Sequence, residues 1–131
     1  MTILVGYIPK PEGDAALRFA LSIAPDRGED VLVMGAGQGR ESALADGLTP
    51  AQQTALAEVL DAGGVEYTLQ PMTGFTSPAD QILEASRPGS DVTMVVLGIK
   101  RRSAAGKFLL GSNAQRVIQE SKVPVVTVKA G

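Results

Sequence analysis

The chain contains no cysteine and no histidine. The first absence fits a reducing compartment. The second removes zinc sites of the usual His/Cys kind, Ser-His-Asp hydrolysis and histidine-based pH switching in one step. An excess of positive charge is missing too: 12 Lys+Arg against 14 Asp+Glu leave a formal charge of -2. General affinity for nucleic acid or an anionic membrane is therefore not expected. No apolar run reaches the ~18–20 residues of a membrane span. Met1-Thr2-Ile3-Leu4-Val5 carries no basic n-region, so no signal peptide is expected and the cytoplasm is the expected location. No pair of carboxylates has the spacing of an acid/base couple. No catalytic residue or metal ligand is assigned, and the chain is not expected to be an enzyme.

What is present suffices for a folded domain. A chain of 131 residues with 44% hydrophobic content reads as one domain spanning 1–131. A chain of this size buries roughly two-thirds of its unfolded surface, enough for a core without staples.

Apolar runs and helical spacings alternate along the chain. Thr2 to Tyr7 is a buried strand ending near Gly6 and Pro9. A helix is expected over 12–24, opened by Asp14, with Leu17, Ala20, Leu21 and Ala24 on one face and a stop at Pro25-Asp26-Arg27-Gly28. A second strand covers 30–34, followed by a loop at 35–39. Thr49-Pro50-Ala51-Gln52 has a cap residue, Pro at N1 and Gln at N3, so a helix is expected from there to about Ala62, ending at Gly63-Gly64. A third strand is expected at 65–70. A helix then opens at Ser77-Pro78-Ala79-Asp80, and a fourth strand covers 92–97. Next come a basic, glycine-punctuated loop and a helix on Gly111-Ser112, with Ser112 as its expected cap. The last strand covers 124–129.

Five strands alternating with four helices specify an α/β fold: a five-stranded parallel doubly wound sheet of order 3-2-1-4-5, Rossmann-like. In that order the chain reverses between strands one and four, and ligands bind in the crevice at such a reversal. The loop after strand four carries Lys100, Arg101, Arg102 and Lys107 with no acid between Gly98 and Gly111. Topology and loop chemistry thus point to one place. A phosphate is expected on Gly98, Gly111, Ser112 and Asn113, with Lys100, Arg101 or Lys107 neutralising charge. Gly6, Tyr7, Ile8 and Gly35 are expected to line the other side of the same crevice, which becomes the nucleoside side if the ligand is a nucleotide.

Two other glycine patterns carry less. Gly106-Lys107 is followed by Phe108, so the hydroxyl that a P-loop presents to magnesium is absent, and Arg101 stands where its first glycine belongs. Gly35-Ala36-Gly37-Gln38-Gly39-Arg40 ends on arginine and follows the second strand, which does not make a dinucleotide fingerprint. Phe108 is the one aromatic near the basic cluster, too little for a nucleic-acid surface.

Along its whole length the chain resembles the universal stress protein family. The nucleotide-binding members carry glycine, two residues, glycine, nine residues and Gly-Ser or Gly-Thr between strand four and the last helix. Gly98 and Gly111-Ser112 match this frame, while Arg101 stands at its second glycine. Ile3-Leu4-Val5 and Val123-Pro124-Val125-Val126-Thr127-Val128 resemble the family's first and last strands. The aspartate usual just after strand one in ATP-binding members is Ile8 here. The resemblance implies a stress-response domain binding ATP or a related adenine nucleotide, with or without Mg2+. It also implies a homodimer through residues 124–129, whose apolar edge strand needs a partner. The alternative is a dimeric protein-interaction module without a nucleotide, its protein partner unknown. Slow ATP hydrolysis ranks last for want of a general base.

Overall fold

A computed structural model describes residues 1–35, 48–72, 76–101, 108–109 and 111–130. In chain order the elements are β1 (Thr2–Gly6), α1 (Pro11–Arg27), β2 (Asp30–Met34), α2 (Pro50–Ala62), β3 (Tyr67–Gln70), α3 (Pro78–Ala85), β4 (Val92–Arg101), β5 (Phe108–Leu109), α4 (Ser112–Glu120) and β6 (Val125–Lys129). β3, β2, β1, β4 and β6 lie side by side and all parallel. This is the expected five-stranded order 3-2-1-4-5, with four helices, once β5 is set apart as a two-residue strand antiparallel to the end of β4.

Alternation of side chains along the strands builds two cores. Ile3, Val5, Val31, Val33 and Val96 face α1 and α2, where they meet Leu17, Ala20, Leu56 and Leu60. Leu4, Met34, Val95 and Leu97 face the other way, toward Ile82 of α3 and Val117 of α4. Strands buried on both faces read as continuous apolar runs, which is why β1, β2 and β4 stand out in the sequence.

Several boundaries differ from expectation. β4 does not stop at Leu97: Gly98 and Ile99 continue the ladder against Val128 and Lys129. Lys100 and Arg101 then pair with Leu109 and Phe108, so the basic segment begins as a hairpin arm rather than a loop. α1 starts at Pro11 with Lys10 as N-cap and no side-chain cap. Asp14 lies in its first turn, where a carboxylate complements the dipole, instead of opening the helix. Pro25 does not end α1. The stop is Gly28, in the left-handed region at φ 63, whose N–H reaches the carbonyls of Ala24 and Pro25. β3 begins only at Tyr67. α2 carries the expected capping box between Thr49 and Gln52. At α4 the N-cap is Gly111, not Ser112, and no side chain caps it.

Candidate functional site

The reversal point lies between β1 and β4, which pair directly. Just above it opens a cavity of about 310 Å³. Its floor is apolar, made by Leu97, Ile82, Met72 and Val117 on the α3/α4 side of the sheet. Gly6, at the end of β1, is what leaves the floor open. A Cβ there would lie 2.8 Å from Leu97 Cδ2 and 3.5 Å from Ile82 Cδ1. The rim is formed by Tyr7, Ile8, Gly13, Gly35 and Gly98 on one side and by Pro78, Asn113 and Ala114 on the other.

Backbone dominates this rim because the chain packs too tightly there for side chains. Gly98 faces the first turn of α1, and a Cβ would sit 1.8 Å from the carbonyl oxygen of Glu12. Gly35 has φ 101, a conformation that favours glycine, and a Cβ would also lie 2.5 Å from the Tyr7 carbonyl oxygen. The Tyr7 hydroxyl donates to Asp14 Oδ1 at 3.3 Å. Burial, reinforced by the Asp14 charge and this hydrogen bond, pushes the phenol up to about 12.

The helix N-termini differ in what satisfies them. α2 has its capping box. At α3, Ser77 Oγ accepts from the Asp80 N–H at 3.1 Å. Asn113 Oδ1, from α4, accepts from the Ala79 N–H at 3.2 Å. Arg116 ties the same two helices further, with Asp80 at 2.8 Å and Ser77 Oγ at 3.3 Å, and within α4 it also pairs with Glu120 at 3.0 Å. The hydrogen bond from Arg116 is the main cause holding the Asp80 carboxyl below its usual value. α4 has neither a side-chain cap nor an acid in its first turn. Among the described residues nothing accepts from the N–H groups of Ser112, Asn113 and Ala114, which a helix start leaves free. Gly111 and Ser112 are exposed at this end, while Asn113 and Ala114 reach the cavity.

Six of the expected site residues line the cavity: Gly6, Tyr7, Ile8, Gly35, Gly98 and Asn113. Gly111 and Ser112 stand just outside it, at the start of α4. Gly98 enters as a strand residue rather than as the first residue of a loop. Lys100 is exposed on the hairpin arm and does not line the cavity. Lys107 and the side chain of Arg101 lie outside the described residues, as does the loop at 36–39. Met72, Ile82, Leu97 and Val117 read in sequence as ordinary core positions. Their one available signal was Gly6, a missing side chain in an otherwise apolar strand. Among the described residues the cavity lining holds no carboxylate and no cation. Among the described residues no cluster of Asp and Glu could hold a metal ion.

A family model described as the universal stress protein family matches residues 1–129. A universal stress protein of Mycolicibacterium smegmatis is 32% identical over 97% of this chain and 96% of its own length. Among solved structures, a universal stress protein from Archaeoglobus fulgidus superposes with a TM-score of 0.78 at 28% identity, over 98% of both chains. A structure of the universal stress protein from Archaeoglobus fulgidus in complex with dAMP shares the fold, with a TM-score of 0.67 at 24% identity over 98% of both chains.

Proposed function

We propose that this chain, which belongs to the universal stress protein family, binds an adenine nucleotide in the crevice between β1 and β4, with its phosphate at the start of α4. The observation that carries this reading is the uncapped N-terminus of α4 beside a cavity at the reversal point. Its free N–H groups and the helix dipole favour an anion, and the apolar floor suits an uncharged, flat group. The dAMP complex of the Archaeoglobus protein supports the same ligand class. Any magnesium would arrive on the phosphates, since hard divalent cations with few protein ligands bind in that way.

In this reading the protein is a cytoplasmic stress-response binder rather than an enzyme. Among the described residues the cavity lining offers no carboxylate to activate water. We read it further as a homodimer through β6. The second reading, an interaction module without a nucleotide, draws on Ile8: an apolar side chain lines the cavity where the family's ATP-binding members usually have an aspartate.

Calorimetric titration of nucleotide-stripped protein with Mg-ATP, AMP and inorganic phosphate separates the two. Saturable binding near one ATP or AMP per chain, lost when Gly111→Val and Ser112→Ala are combined in a folded protein, is expected. No heat with any nucleotide from folded protein would favour the interaction module.

A further inference from the structure

The nucleotide reading leaves one polar side chain of the cavity without a role, Asn113. Its oxygen is committed. The Ala79 N–H can only donate, so the amide atom that meets it at 3.2 Å is Oδ1. The amide orientation is therefore fixed by its partner, and the NH2 group is the other end. No described residue accepts from that NH2 group. No side-chain nitrogen or oxygen of the described residues is both buried and unpartnered, and Asn113 is itself partly exposed at the cavity it lines. Asn113 is also the second residue of α4, where its own main-chain N–H is free.

We infer that Asn113 is a specificity-determining and positioning residue of the nucleotide site, which rests on the proposed function above. One side chain does two jobs. Its oxygen saturates α3, whose first N–H groups are then spent on Asn113 and Ser77. The phosphoryl group is thereby directed away from α3 and toward α4. Its NH2 adds two donors beside the free N–H groups of Ser112, Asn113 and Ala114. The main-chain N–H groups and the Asn113 NH2 at the start of α4 thus all donate, the pattern that a phosphate monoester or polyphosphate satisfies and a nucleoside does not.

Asn113→Asp separates the two jobs. Aspartate has the same shape, still accepts from Ala79, and places a carboxylate where two helix dipoles favour it. Because the new carboxylate repels a phosphate by charge alone, the neutral Asn113→Ala is measured beside it. A purely structural role predicts that Asn113→Ala changes AMP and adenosine affinity alike, with an unchanged or raised Tm for Asn113→Asp. Loss of the donors predicts AMP binding weakened about tenfold or more, because a carboxylate oxygen replaces the NH2 beside the phosphate. Adenosine affinity should stay within about twofold in that case. Calorimetry with AMP and adenosine, plus a melting curve, reads all three. AMP affinity at the wild-type level, or an equal fall for adenosine and AMP, overturns the inference. Should the aspartate variant not fold, Asn113→Ala gives the same AMP-against-adenosine comparison. A wild-type protein that binds no nucleotide removes the underlying reading as well, which distinguishes that failure from a failure at Asn113 alone.

Discussion

Gly98 and Gly111 belong to the same sequence frame, yet the structure gives them unrelated tasks. A methyl on Gly98 would lie 1.8 Å from the Glu12 carbonyl oxygen, a backbone atom that cannot step aside alone. A methyl on Gly111 would meet nothing within 4 Å. Gly98→Ala is therefore expected to cost about 3 kcal/mol or more, by forcing α1 off β4. Gly111→Ala should cost under about 1 kcal/mol, the penalty of a poor N-cap. Urea denaturation of the two variants checks this, and equal midpoints would refute the packing account of Gly98. Tyr7 supports a different residue-scale prediction. Its phenol titrates near 12 in the folded chain against 10 when free, chiefly through burial. Below the free value the neutral phenol is present in both states. As pH climbs from 10 to 12, the unfolded chain sheds this proton first, so stability falls across that window. Tyr7→Phe should flatten the fall in denaturation midpoint there. Superimposable alkaline profiles would show that Tyr7 contributes nothing to it.

α1 and α4 both start without a cap side chain, but α1 has Glu12 and Asp14 in its first turn, whereas α4 has no acid there and trades stability for an open end. A helix start without a cap side chain forgoes a hydrogen bond that Ser, Thr, Asn or Asp would make. Gly111 has φ -68 and ψ 163, the extended conformation of an N-cap, and room for a side chain. Gly111→Ser should therefore raise stability by a few tenths of a kcal/mol. It should also weaken AMP binding, because its hydroxyl competes for the N–H groups that the phosphate uses. A stabilised variant with undiminished AMP affinity would show that the phosphate sits elsewhere. Most elements were legible because their signals are local. Thr49-Pro50-Ala51-Gln52 contains its entire capping box, and the adjacent, fully buried Val95 and Val96 declare a strand buried on both faces. The misread boundaries depend on distant partners. β4 runs past Gly98 because Val128 and Lys129 lie beside it. Asn113 caps α3 across 34 positions of sequence. The cavity was half legible for the same reason: glycines at the strand ends mark its rim, whereas the floor is core side chains left uncovered by Gly6.

The assembled sheet has two edges, and they are not equivalent. At one end, β3 is short, and Thr68, Leu69 and Gln70 are exposed on it. At the other, β6 pairs with β4 along five positions, and among the described residues no strand pairs its outer edge. Val125, Val126 and Val128 are only half-buried there. An apolar edge with unpaired backbone groups is a template for another strand, and a second copy of the chain offers the matching one. A two-fold axis through the middle of β6 would set the two strands antiparallel and place Thr127 opposite its own copy. Thr127 is exposed in the single chain, so a charge there should leave the monomer's fold intact. Thr127→Lys puts like charges directly across the paired strands, an arrangement that destabilises sheets. The wild type is expected to sediment as a dimer in the micromolar range, and Thr127→Lys to shift toward monomer with an unchanged Tm at low concentration. A wild type that sediments as a monomer throughout would leave β6 as a bare edge. A dimer indifferent to Thr127→Lys would move the interface away from the centre of β6. Because β6 also pairs with Gly98 and Ile99 of β4, dimerisation would brace the strand that holds one side of the cavity. AMP affinity should then rise with protein concentration in the wild type and stay flat in Thr127→Lys.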